Sequence, residues 1–152
     1  MKPVDFIAAI APAAKACMAK TRIPASFTVA QAALESGWGA RAPGNNLFGI
    51  KADKSWTGAT VLVPTHEVVK GVRVAVSAKF RAYADWQGCM DDHAQFLDHP
   101  RYKLAFDHCD DGEEFAKAVA EAGYATDPGY GKLLVTIING HNLKELDKDE
   151  AD

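Results

Sequence analysis

The stretch TVLVPTHEVVKGVRVAVSAKF, residues 60–80, decides the fold class. It is rich in β-branched residues and turns over at Lys70-Gly71, so it reads as a β-hairpin. In its second half Val72, Val74, Val76, Ala78 and Phe80 share one face by the period of two. Pro64 cannot donate to a ladder, which makes the first strand an edge or gives it a bulge.

Around this hairpin the chain reads as helix. Upstream, a first amphipathic helix covers about residues 4–20, with Pro12 placed to kink it. After TRIP (21–24) a second helix runs from Ala25 to Ser36, carrying Phe27, Val29, Ala30, Ala33 and Leu34 and stopped by Gly37 and Gly39. RAPGNN (41–46) is a loop, and LFGIKA (47–52) is a short apolar turn. Downstream of the hairpin, Trp86, Met90, His93 and Leu97 recur at helical spacing until Pro100. Asp111 and Glu114 form a capping-box pattern for a helix reaching about Ala122. Asp127 and Pro128 read as the N-cap and first position of a last helix carrying Leu133, Leu134, Ile137 and Ile138. The pattern is α+β: two helices, one inserted hairpin, three helices. A single domain over residues 1–146 with a charged tail over 147–152 is expected, and KELDKDEAD (144–152) reads as charged and frayed.

The 152 residues are enough for one domain with a sizeable core. A net charge of −3 argues against a dedicated nucleic-acid binder. Asp5 and Lys15 interrupt the first apolar stretch, so it reads as a helix of the fold rather than a clear signal peptide. No run approaches the roughly 20 apolar residues of a membrane span. Cys17, Cys89 and Cys109 lack metal-ligand spacing and read as small buried hydrophobes; a Cys89–Cys109 disulfide is the alternative in an oxidising compartment. The five histidines show no ligand spacing either, and no metal or cofactor is expected.

Glu35 lies in an apolar helical run just before a glycine. The helix C-terminus disfavours its ionisation, and shielding by Leu34 or Trp38 would add to that. Such a carboxyl keeps its proton toward neutral pH, as a general acid must. A solvated helix-end acid is the plainer alternative. Glu67 shares the hairpin face of Val61, Val63, Thr65 and Val69, either as a second acid or as an edge-strand charge. Two carboxylates flanking a bond are the usual machinery of glycoside hydrolysis. Trp38, Trp56, Tyr124 and Tyr130 offer faces for sugar rings, and Asn45 and Asn46 offer amides for hydroxyl or acetamido groups.

AQAALESGWG (30–39), NNLFGIKA (45–52), KFRAYADW (79–86), HPRYKLA (99–105) and AGYATDPGYGKLL (122–134) follow one another along nearly the whole chain. This series resembles glycoside hydrolase family 73, the glucosaminidase domain of bacterial autolysins, phage lysins and flagellar rod-assembly proteins. The resemblance implies a lysozyme-like fold, with the hairpin flanking a cleft, and cleavage of the β-1,4 bond after N-acetylglucosamine in peptidoglycan. It places Glu35 at the catalytic acid, Glu67 at the proposed second acid and Tyr124 at a tyrosine tied to catalysis. Trp38, Asn46, Trp56, Asp127 and Tyr130 then belong to substrate binding. Some relatives carry a longer insertion where this chain has ARAPG (40–44), so one cleft wall is expected to be short. The partner implied is a glycan strand, met by a monomer. Without a clear signal peptide, the protein is expected to be made in the cytoplasm and to reach the wall or periplasm through a holin or a specialised secretion route. Lytic transglycosylase chemistry and a non-catalytic glycan-binding module remain open alternatives.

Overall fold

Apolar residues on every side of a helix force it to the middle of a protein. That helix is α2 (Ala25–Ser36), ten of whose twelve residues are buried in the computed structural model, which describes residues 1–148. Packed around it are α1 (Pro3–Thr21), α4 (Gly112–Glu121), α5 (Tyr130–Gly140) and a 3-10 turn, Leu143–Asp147. The alanines at 30, 32 and 33 let these neighbours come close. Phe27 of α2 meets Phe115 of α4 at 4.9 Å between ring centres, and Phe6 of α1 meets Trp86 at the start of α3 (Trp86–Leu97) at 5.7 Å. Phe6, Phe27, Phe48 and Phe115 are fully buried, each worth roughly 1.5–3 kcal/mol relative to exposure.

The ends of the elements follow local chemistry. Gly37 closes α2 in the left-handed conformation, φ 57°, with its N–H bonded to the Ala33 carbonyl. Asp85 caps α3, accepting from Gly88 N, and Asp111 caps α4, accepting from Glu113 N and Glu114 N. α1 runs unbroken through Pro12, because Pro12 and Ala8 both face solvent and water can take the freed carbonyl. α5 begins two residues later than the Asp127-Pro128 reading, at Tyr130. Asp127 instead accepts from Gly129 N at 2.7 Å and turns the chain ahead of the helix. Residues Pro100–His108 form a 3-10 run that the sequence pattern does not announce.

Two further expectations are corrected. Asp147 is no frayed tail residue: its carboxylate accepts from Ser26 N at 2.7 Å and from the Ser26 hydroxyl. It thereby caps α2, whose own N-cap, Pro24, has no side chain to do so. The rest of the expected tail, residues 149–152, lies outside the described residues. The three cysteines are free, so the Cys89–Cys109 alternative is not formed. Cys89 is buried, where its Sγ accepts from Leu47 N.

The hairpin pairs without interruption from Thr60↔Arg81 to Val69↔Val72, between β1 (Thr60–Val69) and β2 (Val72–Arg81). Pro64 therefore sits in an edge strand with no bulge, since both strands of a two-stranded sheet are edges. Lys70 (φ 51°) and Gly71 (φ 80°) make the two-residue turn with left-handed backbone that suits strand twist. The root of the hairpin is fixed by Arg81 N to Ile50 O and Ala52 N to Lys79 O, both 3.0 Å. The far end stands away from the body, with Val68 74% exposed. The architecture is thus α+β, a helical body with one projecting hairpin.

Candidate active site

Between the C-terminal end of α2 and the inner face of the hairpin lies a cleft of about 790 Å³. Glu35, Arg41 and Gly49 line it from the body, and Val63, Thr65 and Phe80 line it from the hairpin. Glu35 is half-buried at the last turn of α2. Its Oε1 accepts from the Tyr130 hydroxyl at 2.7 Å. Its Oε2 lies against Gly49, where a Cβ would come within 3.1 Å. Gly49 also has a left-handed φ of 66°, so a larger residue there would be strained in its backbone and would press on the Glu35 carboxyl.

Burial is the larger influence on Glu35 and raises its pKa; the Tyr130 hydrogen bond opposes this. The carboxyl ends above the ordinary range and holds its proton further toward neutral pH. With Oε1 engaged as an acceptor, that proton belongs on Oε2, the oxygen beside Gly49 and the cleft.

Behind Tyr130 stands a buried polar chain. Gln31 Nε2 donates to the Tyr130 hydroxyl at 3.0 Å, and His93 Nε2 lies 2.6 Å from Gln31 Oε1. Gln31 and His93 are both buried. The His93 ring is stacked on Phe48, 3.6 Å between centres and 9° between planes. Burial depresses its pKa to about 3, so the imidazole is neutral. Gln31 Oε1 can only accept, so the His93 proton resides on Nε2.

The other expected site residues are dispersed. Tyr124 stacks parallel to Tyr130 at 6.0 Å, but its hydroxyl donates to the Phe48 carbonyl at 2.9 Å and not to Glu35. It steadies the segment that carries Gly49. Asn46 borders the cleft, yet its amide is spent inside the protein. Nδ2 donates to Ile50 O and Arg81 O, and Oδ1 accepts from Phe48 N and Ile50 N; nothing is left for a sugar. Asn45 Nδ2 likewise donates to Tyr83 O. Trp38 packs between Phe6 and His141 and does not line the cleft. Trp56 has the Arg81 guanidinium 4.8 Å from its ring centre, and Gly58 so close that a Cβ would come within 2.6 Å, so it is no open stacking platform. Asp127 opens onto a separate groove of about 660 Å³ beside α4 and α5. Glu67 is half-exposed and pairs loosely with Lys51 at 3.8 Å. It shares the face of Thr65, two residues further out along β1. Of the nominated residues, Glu35 and Tyr130 meet directly. Gln31, His93 and Gly49 were missed. Only Gln31 left a signal: a polar residue four positions before Glu35 lies on the same helix face.

A family profile described as Glucosaminidase, mannosyl-glycoprotein endo-beta-N-acetylglucosaminidase, matches residues 11–143. The chain is 39% identical over 142 residues to the peptidoglycan hydrolase FlgJ of Vibrio parahaemolyticus, covering 89% of this chain and 46% of that protein. It is 37% identical over 152 residues to the exo-glucosaminidase LytG of Bacillus subtilis, covering 94% of this chain and 53% of that one. The chain thus spans about half the length of these relatives. Among solved structures, a mutant peptidoglycan hydrolase from Sphingomonas sp. A1 superposes with a TM-score of 0.82 at 39% identity, over 93% of this chain and 96% of that one. The glycoside hydrolase domain of FlgJ from Salmonella typhimurium, truncated at its C-terminus, gives 0.77 at 36% identity, over 93% and 98%. The arrangement of helices and hairpin is the lysozyme-like one of these domains.

Proposed function

The chain belongs to the glucosaminidase family of glycoside hydrolases, and we propose that it cleaves the β-1,4 bond after N-acetylglucosamine in peptidoglycan strands. The observation that carries this reading is Glu35: a half-buried carboxyl with one oxygen held by Tyr130 and the other beside the cleft. The names of its relatives, peptidoglycan hydrolase and exo-glucosaminidase, support the substrate class.

In this reaction Glu35 gives its proton to the glycosidic oxygen as the bond to the anomeric carbon breaks. Positive charge develops on that carbon and its ring oxygen. A water attacks from the opposite face, and Glu67 takes its proton, which inverts the anomeric centre. One observation favours a second reading. Glu67 lies two residues beyond Thr65, about 7 Å further along the strand, and is already paired with Lys51. The substrate's own acetamido oxygen would then attack, and water would open the resulting ring.

Dye release from purified peptidoglycan tests both. Glu35→Gln is expected to lower the rate by about 10²–10⁴-fold with the fold intact; near-normal release would remove Glu35 from the acid's role. An equal loss in Glu67→Gln supports water activation, and a mild loss supports the acetamido route. Mass spectrometry should find reducing N-acetylglucosamine ends; anhydro-muramic ends would instead identify a lytic transglycosylase.

The setting we propose is a monomeric lysin of phage type, reaching the wall through a holin. Expression with and without a holin tests the setting, lysis being expected only with it.

A further inference from the structure

We propose that Gln31 and His93 are positioning residues that act through Tyr130 to decide which oxygen of Glu35 carries the acid's proton. This rests on the reading of Glu35 as general acid.

The argument starts from the direction of the hydrogen bonds. A primary amide has a donor end and an acceptor end, and a buried one can be turned over if its partners allow. In the observed direction Gln31 presents Nε2 to the Tyr130 hydroxyl. The Tyr130 oxygen is thereby occupied as an acceptor, and its proton goes to Glu35 Oε1. In the opposite direction Gln31 would present its carbonyl. Tyr130 would then donate to Gln31 and turn a lone pair toward Glu35. The acid's proton would be drawn onto Oε1, toward Tyr130 and away from the cleft.

His93 selects between the two through its tautomer: with the proton on Nε2 it faces Gln31 Oε1 at 2.6 Å, and an overturned amide would meet it donor against donor, so that direction requires the Nδ1–H form. The ring itself is pinned by Phe48 and Phe27. It is neutral across the range in which a wall hydrolase works, so the selection does not change with pH. Every proton in the chain points one way, from His93 through Gln31 and Tyr130 to Glu35, and the donors reinforce one another.

The titratable and charged groups near Glu35 are few. Tyr130 comes from α5, Tyr124 from the turn before it, and Arg41 from the loop after α2. Glu67 and Lys51 lie farther out at the hairpin. Around His93 the titratable neighbours are Tyr124 and, one turn back on α3, Cys89. A change at His93 therefore alters no charge beside Glu35 except through the chain.

The test combines kinetics with carbon-13 NMR titration of the Glu35 carboxyl in wild type, His93→Phe and His93→Gln. Phenylalanine keeps a ring on Phe48 but removes the donor. Its kcat should fall about tenfold with KM little changed. The Glu35 midpoint and the alkaline limb of kcat should move up by about one pH unit, the scale of one lost hydrogen bond to a charged group. Glutamine loses the stacking but returns an N–H near the place of Nε2, so its midpoint should return to the wild-type value. An unmoved midpoint in His93→Phe overturns the proposal, as does a His93→Gln midpoint equal to that of His93→Phe. Nitrogen-15 shifts of His93 in the wild-type protein provide a check free of substitutions. An Nε2–H imidazole that does not titrate between pH 5 and 8 is expected, and an Nδ1–H form or a titration in that range overturns the proposal. Glu35→Gln assayed alongside separates the two ideas. If that variant stays active, the acid assignment fails, while the midpoints and tautomer still judge the chain.

Discussion

Glu35 is a carboxyl whose burial favours its protonated form at the expense of stability at neutral pH. Its pKa is raised by desolvation in the folded state, so the protonated form fits the site better than the anion. Linkage then fixes a sign. A carboxyl with a raised folded pKa contributes its stability fully below its ordinary unfolded value and loses it as pH rises through the folded value. Glu35→Gln, which cannot ionise, should therefore melt above the wild type at pH 7, and the difference should vanish near pH 4. Thermal melts across that range check it; a constant or inverted difference would show that the anion is well accommodated. Glu35 stands out in the sequence, because a carboxylate in an apolar helix just before a glycine is locally odd. Its partner's role does not, since Tyr130 is 95 positions away. The partners of Asn46 and Trp56 were not legible, for one shared reason. Sequence shows that a side chain has an amide or an aromatic face, but not that the protein's own backbone and Arg81 already occupy it.

At the level of elements, periodicity did most of the work. The hairpin came within one residue of its observed limits because β-branched alternation and a Lys-Gly turn are both local signals. The helices were found by apolar spacing and by the Asp111 cap, which acts within three residues; the Asp85 cap is seen only in the structure. Pro100–His108 escaped because a short 3-10 run carries no comparable repeat. The cap of α2 escaped because it is supplied from 121 positions away, by Asp147. That long-range cap joins the start of the central helix to the C-terminal turn, and both should loosen without it. Asp147→Ala is expected to cost about 1 kcal/mol, the usual scale of a lost cap, or roughly 2–4 °C in a protein of this size. Glu35 lies at the other end of α2, so dye release at 25 °C should be nearly unchanged. A stability loss within error in chemical denaturation would mean that water replaces the carboxylate at no cost.

For the whole molecule, the division is between a helical body that fixes the acid and a hairpin that closes one side of the cleft. The body holds Glu35 from three directions, through α2, through Tyr130 on α5 and through Gly49. The hairpin is attached mainly near its root, by the strand-like contact of residues 50–52 and by the turn at Pro43–Asn45, with the loose Lys51–Glu67 pair farther out. Its outer part exposes Val68, Val69 and Val72. Buried apolar contact sets local opening energies, so the two parts should open independently. Amide hydrogen exchange should show it. Amides of α2 and α5 should exchange only through global unfolding, whereas those of the outer hairpin, about residues 66–74, should exchange orders of magnitude faster. A soluble peptidoglycan fragment should then slow exchange at the inner hairpin around Val63–Thr65 and Ala78–Phe80, where the strands line the cleft, and leave the tip fast. Uniform protection along the hairpin in the free protein would contradict this division, and it would fix Glu67 at one distance from Glu35. Fast exchange at the tip, by contrast, means that Glu67 samples a range of positions, so a glycan bridging body and hairpin decides how near the second carboxylate comes to the first.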